Sequence, residues 1–359
     1  MRRILFFMFL AGMWPVLASS NEPDPTVQIE SDLTTLVRFD DATKQMVEKV
    51  SGYRERRIYF SEQSGDPEFA TLAAVPWVSK VYLVGTRITD LTPLTGLSNL
   101  VEFAANRVVT SNTNWRLDLQ PLAQHRSLQR LSLGGVTVTN AQVLSELPNL
   151  VHLRLHTVGN VRLEGVARMR DLQFLGVTAC PGNFSLAPLR GLPKLQSVTL
   201  NMLQVSSNEY AVLRTLPALA AAELHRAPLA DLRVLADCAT LQWLRIWHAK
   251  SMVSLAGVEG LSRLVELDIA SARVTDLSPL AGCAALRKIA LREAPVTDVA
   301  PLTNLTGLTS LDLRGTGVTN AVLLGVLPHL QKLSLPAHCS PQEITALKAA
   351  LPKCRVNQQ

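Results

Sequence analysis

The sequence predicts an α/β solenoid: short strands stacked in parallel into one sheet, with short helical or irregular segments returning the chain behind it. Three observations carry this. LVELDIASARVTDLSPLAGCAA, LRKIALREAPVTDVAPLTNLTG and LTSLDLRGTGVTNAVLLGVLPH follow one template, with Leu264, Leu286, Leu308 and Leu330 spaced 22 residues apart. A fixed period of this size marks stacked supersecondary units. The template extends upstream through Val78, Leu100, Leu128, Leu150, Leu172, Leu195, Leu219 and Leu241, mostly at gaps of 22, 23 or 24 residues. Within each unit, the end of the LxxLxL stretch alternates apolar and polar residues with a period of two.

In LVELDIA, Leu264, Leu267 and Ile269 point one way while Glu266, Asp268 and Ala270 point the other, the pattern of a half-buried strand. VTDLSPL cannot prolong that strand. Pro279 lacks an N–H and disfavours the helical region for Ser278, so the stretch reads as a tight connection and a short helical turn. One unit cannot bury its own apolar face, whereas stacked units share a continuous core. The long gap is Leu100 to Leu128, where VVTSNTNWRLDLQPLAQHRS adds about half a dozen residues, a loop insertion expected to carry Trp115. A degenerate first rung is expected around Ile58 and Phe60, with Glu55 at the anchor place.

The ends differ from the array. Residues 1–18, MRRILFFMFLAGMWPVLA, read as a secretory signal peptide: two arginines, a short apolar run, then small residues. The competing reading is an uncleaved anchor, which Pro15 and the shortness of the run disfavour. Residues 19–54 read as a polar leader and an N-terminal helical cap, with a helix in DDATKQMVEKV started by Asp40 or Asp41 and ending near Gly52. Such a helix would cover the open edge of the first strand. The repeat array takes residues 55–329, and residues 330–359 form the last repeat and C-terminal cap. No second run is long and charge-free enough to span a bilayer, and the polar tail LPKCRVNQQ argues against a glycolipid anchor. The mature chain is expected to be exported (secreted, at the cell surface or periplasmic), monomeric and without a membrane span.

Five cysteines are an odd number for an exported chain. Cys238 and Cys283 share a slot two rungs apart, about 10 Å, too far for a bridge, and read as small core residues with Cys180. Cys339 and Cys354 both fall in the final unit, where a disulfide would staple the cap; bridged and free states are both open.

The motif LxxLxL followed by VTDLxPL, as in Thr275-Asp276 with Pro279-Leu280 and Thr297-Asp298 with Pro301-Leu302, resembles the leucine-rich repeat family. Among its classes the units look most like the short internalin-type repeat, over roughly residues 55 to 354. The resemblance implies a leucine-rich repeat horseshoe or arc with a parallel concave sheet. It also implies a secreted or surface recognition module. One departure stands out. The family's Asn after the strand is replaced here by Thr86, Val136, Val158, Cys180, Ala272, Ala294 and Thr316. Those turns must satisfy their backbone groups by another route.

Function is expected on the outward strand positions, which a solenoid aligns into one surface. His152, Arg154 and His156 occupy one strand; Phe174, Gly176, Thr178, Ser197, Thr199 and Asn201 make the next two nearly neutral. Then Glu223 and His225 sit beside Trp243, Arg245 and Trp247, which sit beside Glu266 and Asp268, with Arg226 and His248 at the strand ends. Two outward tryptophans ringed by charge resemble the aromatic and arginine anchors of protein-binding hot spots. The competing reading is a self-satisfied cross-strand ladder through Glu223, Arg245 and Asp268.

An enzyme is not indicated: no Gly-rich phosphate loop, HExxH or nucleophile elbow is present, and no cofactor is implied. His152 and His156 lie about 13 Å apart along a strand, too far to share a metal ion. The charge of +6 is spread along the chain and alternates in sign on the sheet, unlike a phosphate track, so no nucleic acid is expected. The leading reading is a protein ligand bound by the concave sheet. The alternatives are a structural envelope or surface component, or a carbohydrate-binding module with sugars stacked on the tryptophans.

Overall fold

The computed structural model describes residues 57–60, 64–107 and 115–358, together with the backbone of the strands Val27–Gln28, Val37–Phe39 and Met46–Lys49. The signal-peptide reading of residues 1–18 lies outside the described residues.

One fifteen-stranded sheet runs from Val27–Gln28 through Arg57–Phe60 and Lys80–Val84 to Lys332–Leu335 and Arg355–Gln358. Val27–Gln28 pairs antiparallel with Arg57–Phe60, and the other fourteen strands are parallel. Strands stack in the register that the repeat implies: Leu267 lies between Leu244 and Ile289, and Phe60 beside Leu83. All twelve anchors from Val78 to Leu330 are at most 3% exposed, so the 22-residue period is the spacing of the core. The degenerate rung is real: Ile58 and Phe60 are fully buried, and Phe60 meets Phe69 edge-on at 5.1 Å.

The VTDLxPL segments form short 3₁₀ turns such as Ser278–Leu280 and Ala300–Asn304. The aspartate before each turn starts it. Asp276 Oδ1 accepts from the Ser278 N–H at 2.8 Å, and Asp298 Oδ1 from the Ala300 N–H at 2.8 Å. Asp298 also accepts from Asn320 Nδ2 at 2.6 Å, tying one rung to the next.

The missing asparagines are replaced by a column of left-handed residues just past the strands. Gly85, Gly135, Thr157, Ala179, Met202, Arg226, His248, Ser271, Glu293 and Gly315 all have φ between 50° and 69°. The bend aims backbone N–H groups at the next rung: Thr157 donates to the Thr178 carbonyl at 2.8 Å, Arg226 to that of Trp247 at 2.9 Å. In the former asparagine slot, Thr316 Oγ1 donates to the Leu313 carbonyl at 2.6 Å and Cys180 Sγ to that of Leu155 at 3.7 Å.

Two expectations are corrected. Met46–Lys49 is a strand paired antiparallel with Val37–Phe39, not part of a helix over 40–52. A short polar segment has little helical stability of its own, and pairing overrides its propensity. Trp115 is no surface loop residue: it is 7% exposed, and its Nε1 donates to the Ile88 carbonyl at 2.6 Å, so it plugs the insertion into the core. Beside it Arg116–Asp118 pairs with Thr137–Thr139 as a small parallel sheet. Of the two states left open for Cys339 and Cys354, the structure has the free thiols, as it does for Cys180, Cys238 and Cys283. The C-terminal cap is held instead by packing and by the helix Pro341–Ala350. Its start is fixed reciprocally: the Glu343 N–H donates to Ser340 Oγ at 3.2 Å, and the Ser340 N–H to Glu343 Oε2 at 2.8 Å.

The fold carries an acid sensitivity at His125, which is 4% exposed with Nε2 unpartnered. Burial holds its pKa below the ordinary imidazole value of 6.5. As pH falls below 6.5 the unfolded chain takes up a proton that the folded chain refuses, so stability falls with pH in that window. His152 and His156 shift the same way, again first through burial. Urea midpoints measured between about pH 5 and 7 should therefore rise with pH, and less steeply in His125→Leu. Equal slopes would place the sensitivity elsewhere.

Candidate functional site

Register alone places the central residues side by side on the open face of the sheet. Ala221, Trp243, Glu266 and Lys288 form one cross-strand row; Glu223, Arg245, Asp268 and Ala290 form the next. Trp243, Arg245 and Trp247 follow one another at alternate positions of one chain segment, so they share a face.

Their side chains interlock. The Arg245 guanidinium lies 4.5 Å from the Trp243 ring and 4.8 Å from the Trp247 ring. His225 stacks on Trp247 at 4.7 Å and 11°. From the other side of that strand, Arg292 reaches past Ala270, its register partner, to within 5.5 Å of the Trp247 ring. Asp268 joins the two cations: Oδ2 lies 3.2 Å from Arg245 Nε and Oδ1 2.8 Å from an Arg292 terminal nitrogen. With 10% of its side chain exposed, Asp268 is the buried hub. Lys288 and Glu266 pair at 3.2 Å, and Arg314 and Asp312 at 2.8 Å.

The ladder reading is therefore half right. Arg245 and Asp268 pair as expected, but Glu223 turns to His225, with Oε1 and Nε2 3.0 Å apart. That approach lacks hydrogen-bond geometry, and both atoms are buried without a hydrogen-bond partner. Trp247 Nε1 and Arg292 Nε, in the same cluster, are also buried without a hydrogen-bond partner, the latter 3.9 Å from Asp312 Oδ2. Such atoms are costly in a dry interior and mark a surface short of polar partners.

The other expected residues lie apart. His152, Arg154 and His156 sit three strands from Glu223 and four from Trp243, with Phe174–Thr178 and Ser197–Asn201 between. His152 stacks on Phe174 at 6.1 Å, and the Arg154 guanidinium lies 5.3 Å from the same ring. Arg226 and His248 are exposed in the left-handed turns, one residue beyond His225 and Trp247. Sequence reasoning treated Phe174 as neutral filler. Its signal was Gly176: a Cβ there would meet the Phe174 ring at 3.2 Å. Among the described residues, no group of three His, Cys, Asp or Glu could hold a metal ion.

No protein-family model matches this sequence, and no curated protein matches it. Solved structures do. The internalin InlF of Listeria monocytogenes superposes with a TM-score of 0.67 at 22% identity, over 84% of this chain and 86% of that one. A chain of the TLR13–ssRNA13 complex gives a TM-score of 0.53 at 16% identity, over 78% of this chain and 50% of that one. With the parallel ladder and the LxxLxL units, this defines a leucine-rich repeat solenoid. Its repeats are of the short, internalin-like kind.

Proposed function

We propose that this chain is an exported, monomeric recognition module that binds a protein ligand through its concave sheet, with Trp243, Arg245 and Trp247 at the centre. Residues 1–18 then serve as the export signal, residues 19–54 as the leader and first cap, and residues 330–359 as the closing cap of the array. Among the described residues no helix is long and apolar enough to cross a membrane. The reading rests on one observation: aromatic and arginine side chains interlock on the open face while four buried polar atoms there lack hydrogen-bond partners. Tryptophan and arginine are the residues in which binding hot spots are enriched. No catalytic role is assigned to any residue.

Sugar stacking is the weaker reading, because His225 already stacks on the Trp247 ring and the Arg245 and Arg292 guanidinium groups lie 4.8 and 5.5 Å from it. A polyanion fits poorly, since Asp268, Glu266 and Asp312 already neutralise the adjacent cations. The test is affinity capture from secreted and surface fractions with wild type and the Trp243→Ala/Trp247→Ala double variant. The variant should lose its partner while keeping its far-UV spectrum. A folded double variant that retains every partner would overturn the assignment.

A further inference from the structure

On the open face Arg154 and Glu223 make no contact ion pair with an Asp, Glu, Lys or Arg side chain, and attract each other only at longer range. Asp268 holds Arg245 and Arg292, Asp312 holds Arg314, Glu266 holds Lys288, and Glu102 lies 3.7 Å from Arg130. Arg154 makes no ion pair at contact distance; its guanidinium lies 5.3 Å from the Phe174 ring and is attracted at longer range by Glu223. Glu223 is 9% exposed; its Oε1 accepts no hydrogen bond and lies 3.0 Å from His225 Nε2, a cation only when protonated.

These two residues face each other across a trough. They lie in one cross-strand row, Arg154–Gly176–Thr199–Glu223, three ladder steps apart. The parallel row His152–Phe174–Ser197–Ala221–Trp243 puts an aromatic ring at each side of two small residues. Ser197, Thr199 and Ala221 are half-buried and make the floor. Gly176 lets Phe174 and Arg154 lean inward, since a Cβ there would lie 3.2 Å from Phe174 and 3.6 Å from Arg154 Cγ. Three steps span about 14 Å, the reach of about four residues of extended chain.

We infer that this trough seats an extended segment of the partner protein that offers a carboxylate to Arg154 and, about four residues away, a basic side chain to Glu223. The inference rests on reading the open face as the binding surface. A carboxylate takes the Arg154 guanidinium in forked geometry, and a cation or N–H donor completes the buried carboxylate oxygen of Glu223. Between them Phe174 and Trp243 flank the segment's central side chains, which must be small or apolar to lie over Ser197 and Ala221.

The probe is a set of labelled synthetic peptides of about ten residues, with one acidic and one basic residue at separations from adjacent to about six, in both orders. Same-charge and neutral peptides are the controls, and fluorescence anisotropy is the readout. Opposite-charge peptides should bind best near a separation of about four. Arg154→Gln and Glu223→Gln should each weaken that binding about tenfold, a difference of about 1.4 kcal/mol. Ser197→Trp, an outward substitution on the floor, should abolish it while leaving the melting temperature near wild type. Equal binding of neutral and charged peptides, no binding by any peptide, or unimpaired binding by Ser197→Trp would each overturn the inference. If that happens while the tryptophan double variant still loses its captured partner, the trough falls and the broader reading stands. If the double variant keeps its partner, the broader reading falls with it.

Discussion

Gly260→Ala is expected to destabilise the protein by about 3 kcal/mol, at the upper end of overpacking effects. Gly260 ends the 3₁₀ turn Val258–Gly260, where an added Cβ would lie 2.1 Å from the Ala236 carbonyl oxygen and 2.8 Å from its carbon. The obstacle is backbone of the preceding rung, which cannot rotate aside as a side chain would. Gly257, three residues earlier, presses on the same rung: its Cβ would meet Arg233 N at 2.4 Å, and its φ is +101°. The repeat supplies its own control. Gly282 holds the equivalent slot one unit later, and a Cβ added there would have nothing within 4 Å. Gly282→Ala should therefore stay within about 0.5 kcal/mol of wild type. Because long repeat arrays can depart from two-state unfolding, amide exchange around residues 232–261 should accompany the melting curves. The two variants melting together would refute the close approach. The same rung carries Trp243 and Trp247, so widening it should also weaken the Trp247–His225 stack and the near-UV signal of the tryptophans.

Asp268→Asn should cost about 2–3 kcal/mol, close to the range for breaking a buried ion pair by removing one partner. The carboxylate bonds Arg245, whose side chain is 13% exposed, and Arg292, at 29%. Its neutralisation leaves two guanidinium groups near the sheet surface without their shared counter-charge. Arg245 also loses the bond that holds it between the tryptophan rings, so urea midpoint and near-UV circular dichroism should fall together. The exposed pair of Lys194 and Asp171 is the comparison; their side chains are 58% and 45% exposed. Lys194→Ala should change stability by at most about 0.5 kcal/mol, since solvent screens such pairs. A similar effect for the two variants would show that Asp268 is not a hub.

Much of the fold was legible because its cause is periodic. Leu264, Leu286 and Leu308 recur because each rung must bury the same position, and a strand's period of two decides which neighbours face out. That reasoning reached the cross-strand neighbours Arg245 and Asp268. It missed what depends on side-chain torsions. The competing ladder reading joined Glu223 to Arg245, but its carboxylate goes to His225, which stacks on Trp247. Arg292 reaches Trp247 from two strands away only because Ala270 between them is small, a signal visible in the sequence but not used. Trp115 was misplaced for a related reason: a polar insertion suggests a loop, yet one large indole can anchor it to the core. The strand Met46–Lys49 carries no period at all, and pairing with a separate segment decided its form.

The column of left-handed turns has a wider consequence. A left-handed L-residue costs roughly 1–2 kcal/mol relative to the ordinary helical region, and glycine escapes this. Yet seven of the ten positions in the column, from Thr157 to Glu293, carry side chains. The bend there is held by backbone hydrogen bonds that any residue can make, with side chains adding local ones where Thr157 Oγ1 accepts from the Gly135 N–H and Ser271 Oγ donates to Glu293 Oε2. Thr157, Met202, Arg226, His248 and Glu293 are exposed along the border of the sheet. They form a row of interchangeable keys on a fixed frame: a lineage, or a designer, could rewrite what this border touches without relearning how to fold.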